Sequence, residues 1–129
     1  PDYVKRHGKP EKVEDLDGHR LLRFGGDQPP HLLGINRLLT MGRDPRDPRS
    51  PNLTVNSVTA LKYAVQRGTG IALLPDYLVD QESGIVSVMP WAEMPALESY
   101  LVYPEEMRNV ARVQVFRDFL IAKAQRWTF

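Results

Sequence analysis

Three histidines, His7, His19 and His31, stand twelve residues apart in this chain. A zinc site needs three or four N, S or O donors that converge on one point. Apart from weak carboxylate options, none of these histidines has a second ligand at helical i+3 or i+4 spacing. The pattern favours exposed loop histidines over a metal centre, and no metal is expected. Glu11, Glu14, Asp15 and Asp17 are the densest carboxylate cluster. A catalytic pair needs two carboxyls in one cleft with separated pKa values, whereas this cluster lies in a polar loop and a short turn that read as solvated surface. The chain has no cysteine, which excludes disulfides, thiolate-bound metals and a thiol nucleophile. No Gly-x-Ser-x-Gly elbow, Walker loop or Gly-x-Gly-x-x-Gly occurs. Gly68-Thr69-Gly70 precedes a strand, whereas a dinucleotide loop must lead into the helix whose N-terminus holds the phosphate. No catalytic residues and no cofactor are expected. Asn52-Leu53-Thr54 matches a glycosylation sequon, which matters only in a secreted chain.

One place has binding chemistry. Leu53-Thr54-Val55-Asn56 reads as a strand that feeds directly into a helix starting near Ser57. Ligands of open α/β sheets sit at the carboxyl ends of strands. A helix N-terminus offers unpaired N–H groups and the positive end of its dipole. Asn56 and Ser57 add an amide and a hydroxyl, a combination that suits a small carboxylate. Simple capping by Ser57 explains the same residues, so the junction alone does not decide between them.

The elements that would position this junction follow from periodicity and breakers. Pro1 to His7 forms one or two helical turns ended by Gly8 and Pro10. Val13 to Leu16 is a helical turn before Gly18, and Leu21 to Phe24 is a strand stopped by Gly25-Gly26. Asp27 to Pro30 is a loop, and a strand is expected within Leu32 to Met41. Arg43, Arg46 and Arg49 recur as Arg-x-Pro, a three-residue repeat that suits polyproline II with the arginines along one edge. A stiff solvated loop is the plainer explanation, since the Asp residues cancel most of the charge. Ala60, Leu61, Ala64 and Val65 lie on one face of a helix that Gly68 ends. Ile71 to Leu74 is a strand, Asp76 to Ser83 a short helix, and Ile85 to Val88 a strand. Strand and helix alternating in this way indicate an α/β sheet. After a junction at Pro90 and Pro95, Leu97 to Tyr103 is a strand. A helix runs from about Asn109 to Thr128, with Val113, Phe116, Leu120 and Trp127 on a wide apolar face that calls for cover.

Composition sets the outer limits. The 129 residues are 42% hydrophobic and 26% charged, within the ordinary globular range. At this size one domain, or one and a fragment of another, is expected. Seventeen basic and sixteen acidic residues give a formal charge of +1, too even for a chain built mainly to grip phosphates. No apolar run approaches the roughly 20 residues that span a bilayer, and the opening residues are not a signal peptide. The chain does not begin with Met and reads as an excerpt or a processed piece.

The run from Leu53-Thr54-Val55-Asn56-Ser57 through Arg67-Gly68-Thr69-Gly70-Ile71-Ala72-Leu73-Leu74-Pro75-Asp76-Tyr77-Leu78 resembles the effector-binding domain of LysR-type transcriptional regulators. The opening, Tyr3-Val4-Lys5-Arg6-His7-Gly8-Lys9-Pro10 with Val13 to Leu16 and His19, fits the same family. So does the tail, Leu101 to Pro104 with Arg112-Val113 and Phe116 to Leu120. The resemblance covers nearly the whole chain. It implies an α/β fold of the type 2 periplasmic-binding-protein kind, with a small effector between two subdomains. Residues 1–93 would be effector-binding subdomain II, and residues 94–129 the returning strand and C-terminal helix of subdomain I. The winged helix-turn-helix, the linker helix and the first half of subdomain I have no counterpart here. DNA would therefore be bound only through an N-terminal domain outside this chain, and the returning helix would keep apolar surface exposed. The resemblance also implies a cytoplasmic location, self-association as dimer or tetramer, no membrane contact and no enzymatic activity. Its effector contacts map onto Asn56, Ser57 and Val58, with Phe24 as a further candidate. The effector would be a small molecule, a carboxylate or other anion. The alternative is an extracytoplasmic solute-binding protein of the same fold.

Overall fold

The computed structural model of the chain describes residues 2–25, 34–79, 81–94, 96 and 100–125. It divides into two compact units, Pro1–Pro95 and Ala96–Phe129.

The first unit opens with helix α1, Asp2–His7. Gly8 ends it at φ 75°, and the Gly8 N–H returns to the Val4 carbonyl at 2.8 Å, a C-terminal closure that glycine adopts without strain. A 3-10 helix, Val13–Gly18, follows and leads into strand β1, Leu22–Phe24. Strand β2, Leu53–Val55, pairs with β1 in parallel, with Leu22 opposite Leu53 and Phe24 opposite Val55. A single parallel bridge joins Leu21 to Ile71 on the other side of β1. β1 is therefore the central strand of this small sheet. Helix α3, Val58–Gln66, leaves β2 after two residues and turns its buried Leu61 inward. Gly68 closes it at φ 68°, as its position predicts.

The core of this unit joins α1, the 3-10 helix and the sheet. Tyr3, Leu16, Leu21, Leu38, Leu39, Ile71 and Met89 form one buried cluster. Gly70 explains how the Ile71 segment comes so close to β1. A Cβ at residue 70 would lie 2.3 Å from the Arg20 carbonyl oxygen, a separation no side-chain carbon can occupy. The close approach lets Ile71 N–H reach the Arg20 carbonyl at 2.8 Å and Leu22 N–H reach the Ile71 carbonyl at 2.9 Å.

Several sequence expectations are corrected. The strand expected within Leu32 to Met41 is a helix where it is described: α2 spans Arg37–Thr40 and buries Leu38 and Leu39 side by side in the core. Residues 26–33, which include the expected loop and His31, lie outside the described residues. The strand Ile71 to Leu74 is reduced to its bridge at Ile71. The helix Asp76 to Ser83 is two 3-10 turns, Asp76–Leu78 and Gln81–Ser83, because Val79 between them is extended at φ −111°, ψ 101°. Ile85 to Val88 joins no ladder; the Ile85 N–H turns to the Ser83 hydroxyl instead.

The Arg-x-Pro repeat is also not polyproline II. The Asp47 N–H bonds the Asp44 carbonyl at 2.9 Å, which makes residues 44–47 a turn. The Asp44 carboxylate locks it by accepting from the Arg46 N–H and guanidinium. The arginines consequently part company. Arg46 is exposed, Arg43 pairs with Asp17 at 2.9 Å, and Arg49 is buried.

In the second unit, residues 100–104 are outside any ladder, Glu105–Met107 is a 3-10 turn, and helix α4 spans Ala111–Ala124. The expected strand at Leu97 to Tyr103 is absent over residues 100–103, and residues 97–99 lie outside the described set. α4 forms where its apolar periodicity places it, but none of its residues is buried. Val115, Phe116, Phe119 and Ile121 remain exposed. The elements of its own unit are too short to cover a helix that is apolar on so many sides.

Candidate functional site

The parallel register places the ends of β1 and β2 together. Phe24 faces Val55 across the ladder, and the Gly25 N–H donates to the Val55 carbonyl. Phe24 and Asn56 thus stand at the carboxyl ends of neighbouring strands, the location where open parallel sheets take ligands. Phe24 is half-buried, Asn56 and Ser57 are exposed, and Val58 is half-buried. All four sequence-predicted residues meet at one end of the sheet.

Ser57 caps α3 as its type predicts. Its backbone is extended (φ −132°, ψ 124°), its hydroxyl accepts from the Ala60 N–H at 3.3 Å, and its carbonyl accepts from Leu61 at 2.9 Å. The cap uses one of the free N–H groups of the first turn. The remaining groups and the dipole of a nine-residue helix face the exposed side of the junction. No acidic residue lies in that turn, so no carboxylate of the turn itself competes with an incoming anion.

Asn36, which lies within the stretch expected to be a strand, reaches this place. Its Oδ1 accepts from the Phe24 N–H at 3.0 Å, and its Nδ2 donates to the Phe24 carbonyl at 2.9 Å. The signal available in the sequence was a lone carboxamide just ahead of the apolar pair Leu38-Leu39.

The opposite end of the sheet is organised by charge. Arg49 donates Nε to Asp17, Nη1 to the carbonyls of Leu38 and Met41, and Nη2 to the Val13 carbonyl. Its own N–H bonds the Leu39 carbonyl at 2.8 Å. Asp17 therefore has two guanidinium partners, which hold its carboxyl below the ordinary 3.8. Backbone N–H groups of Glu11 and Lys12 do the same for Asp15. A polar cavity of about 330 Å³ here is lined in part by Asp17, His19, Arg43 and Ser50. With Arg49 already bonded to four oxygens and Arg43 paired, its charges are spent on structure. A second depression of about 360 Å³ lies along α3, by Lys62, Tyr63 and Gln66. Neither of these two cavities includes Phe24 or Asn56 to Val58.

His19 and His7 converge on Tyr3 without forming a metal site. Tyr3 stacks on His7 at 4.5 Å between ring centres. Its hydroxyl lies 3.1 Å from His19 Nδ1 and accepts from the Arg20 N–H at 2.9 Å. Among the described residues no group of three or more His, Asp or Glu side chains could hold a metal ion. Burial, followed by the neighbouring His7, pushes the His19 imidazole below its ordinary 6.5, with Asp15 partly opposing. The folded state thus binds fewer protons than the unfolded state in this window. The contribution of His19 is fully present above about pH 6.5 and is lost as pH falls through the lower folded value. Asp15 and Asp17 act in a lower window. Their contributions are present above about 3.8 and are lost as pH falls through their depressed values. We expect denaturant midpoints to fall between pH 7 and 5 in the wild type and to fall less in His19→Asn, whose amide replaces Nδ1 but does not titrate there. Equal losses in both proteins would assign the effect elsewhere.

Comparison with known proteins finds relatives for nearly the whole chain. Residues 1–125 fit the family profile of the LysR substrate binding domain. The HTH-type transcriptional regulator CrgA of Neisseria meningitidis serogroup C is 32% identical over 125 residues, which are 94% of this chain and 40% of the regulator. An HTH-type transcriptional regulator of Xanthomonas campestris pv. campestris is 28% identical over 127 residues, 95% of this chain and 37% of that protein. The solved regulatory domain of CrgA, described as a LysR-type transcriptional regulator from Neisseria meningitidis, superimposes with a TM-score of 0.69 at 27% identity. That superposition covers 95% of this chain and 60% of the solved one. The chain spans about two fifths of the length of these curated relatives. With 125 of its 129 residues fitted by the profile, the chain belongs to the LysR substrate-binding domain family.

Proposed function

We propose that this chain is the effector-sensing part of a LysR-type transcriptional regulator, and that its ligand is a small carboxylate or other anion held at the junction of Asn56, Ser57 and Val58 beside Phe24. Residues 1–93 act as the effector-binding subdomain, and residues 94–129, which carry α4, as the segment that returns to the other subdomain. The observation that carries this reading is the N-terminus of α3, which has no acidic residue in its first turn and follows the paired ends of β1 and β2 in a member of this family. Control is exerted by a binding equilibrium: an effector that prefers one arrangement of subdomains shifts the population toward it. DNA binding resides in an N-terminal head, self-association is as dimer or tetramer, and the protein works in the cytoplasm. Among the described residues no helix is long and apolar enough to cross a membrane.

The test is the coding sequence of the roughly 160–180 codons ahead of Pro1, a length set by typical domain size. A helix-turn-helix, then a long helix and a strand–helix–strand pattern, is the expected result. A signal peptide there would overturn the regulator and identify an extracytoplasmic solute-binding protein.

A further inference from the structure

A parallel ladder has evenly spaced, slanted bonds that recur every second residue. On the side of β1 away from β2 the first rungs are present: Ile71 N–H to the Arg20 carbonyl, then Leu22 N–H to the Ile71 carbonyl. The next rungs of that pattern would join Leu73 N–H to the Leu22 carbonyl and Phe24 N–H to the Leu73 carbonyl. The Phe24 bond is made instead by a side chain. Asn36 Oδ1 takes the Phe24 N–H, and Asn36 Nδ2 takes the Phe24 carbonyl. The two strands part after Ile71, and a carboxamide fills the place a third strand would hold. A carboxamide is suited to this because it offers one acceptor and one donor in a plane, as a peptide group does.

We propose that Asn36 is a positioning residue of the effector site: by standing in for the missing ladder partner it holds the Phe24 backbone where β1 and β2 present the ligand-binding end of the sheet. This rests on the reading of Phe24 and the Asn56–Val58 junction as the site. Asn36 bonds Phe24 through its backbone, so it acts through that residue and needs no contact with the ligand. Without it, the Phe24 N–H and C=O would lose the two bonds that Asn36 supplies at the binding end. The strand end would then shift toward other partners. Asn52 offers an internal control. It bonds the same strand three residues earlier, with Oδ1 accepting from the Leu21 N–H at 2.9 Å and its own N–H donating to the Leu21 carbonyl at 2.8 Å. It does so at the far end of the sheet from the junction.

The test uses the natural gene product with 4-fluorophenylalanine incorporated, and the Phe24 ¹⁹F resonance assigned by its loss in Phe24→Leu. Asn36→Leu and Asn36→Asp at pH 7 are expected to move the Phe24 resonance and leave the other phenylalanines in place. Asn52→Leu is expected to lower the melting temperature without moving it. Asn36→Asp carries a further signature. Its carboxylate still accepts from the Phe24 N–H but faces the Phe24 carbonyl. Acidification supplies the missing donor and should return the resonance toward the wild-type position. An unmoved resonance in Asn36→Leu, or an equal shift in Asn52→Leu, overturns the proposal.

Phenylacetate then serves as an anionic probe with an apolar ring for the Phe24 and Val58 side. Its apparent affinity, read from the same resonance, should fall about tenfold in Asn36→Leu, the equivalent of one or two net hydrogen bonds. Unchanged affinity overturns the positioning role. Failure of phenylacetate to move the wild-type resonance counts against the anion reading of the site, and the ligand-free spectra then decide Asn36 independently.

Discussion

Arg49→Leu is expected to destabilise the protein by about 3 kcal/mol, measured by urea denaturation of the natural gene product. The guanidinium is buried and binds Asp17 together with the carbonyls of Val13, Leu38 and Met41. Breaking a buried ion pair by removing one partner costs roughly 3–5 kcal/mol. The lower end applies because the Asp17 side chain is half exposed and can recover water, and because Arg43 still pairs with it. The carbonyls have no such recourse where they are buried. Arg49→Lys should recover only part of the loss, since an ammonium is a point donor and cannot reproduce a fork aimed at four oxygens. A loss below about 1 kcal/mol in Arg49→Leu, the range of an exposed pair, would show that the clamp is not structural.

Ser57→Arg is expected to abolish the response to ligand while leaving the fold standing. The cost to stability is the cap. Replacing a serine N-cap lowers stability by about 1 kcal/mol, and a cation at the positive end of the dipole adds a few tenths. The gain from ligand is larger and separable. A ligand at about a hundred times its dissociation constant stabilises the folded state by about 2.7 kcal/mol. Melting temperatures with and without acetate, pyruvate and phenylacetate therefore distinguish the two effects. The expected outcome is a modest fall for the ligand-free variant and no upward shift with any anion that raises the wild type. A variant that still shifts as the wild type does would remove the junction from the site.

The first of these two residues was the harder to read from sequence. Local signals were legible where the deciding interaction was local. Gly8 and Gly68 end helices, Ser57 caps one, and the short Leu21–Phe24 and Leu53–Asn56 runs contain the paired strands Leu22–Phe24 and Leu53–Val55. The candidate residues at the strand ends meet because their positions follow from those elements. Arg49 and Asn36 were illegible for one shared reason: each is defined by partners distant in sequence. Arg49 bonds residues 32 and 36 positions earlier. Asn36 bonds a backbone twelve positions earlier. Spacing puts Arg49 in a solvated repeat, and periodicity assigns Asn36 no partner. The Arg-x-Pro repeat misled in the same way. Its spacing suits polyproline II, but Asp44 offers the chain a competing turn through its own carboxylate. The Ile71 to Leu74 run reads as a strand by composition, yet ladder bonds require a neighbour, and after Ile71 that place on β1 is taken by Asn36.

The pairing of β1 has a further meaning during synthesis. Each neighbour of this central strand is later in the chain: Leu22 meets Leu53, and Leu21 meets Ile71 fifty residues on. Parallel, non-local pairings of this kind close large loops before they return any bonds, and they fold slowly. A ribosome adds about 5–20 residues per second, so Leu21 leaves the ribosome about 2.5–10 s before its bridge partner Ile71 does. During that interval Leu21 and Leu22, both buried in the finished structure, are exposed next to unpaired backbone. The nascent chain is therefore most open to chaperones, and to mispairing with its neighbours, while residues 22–71 are being made.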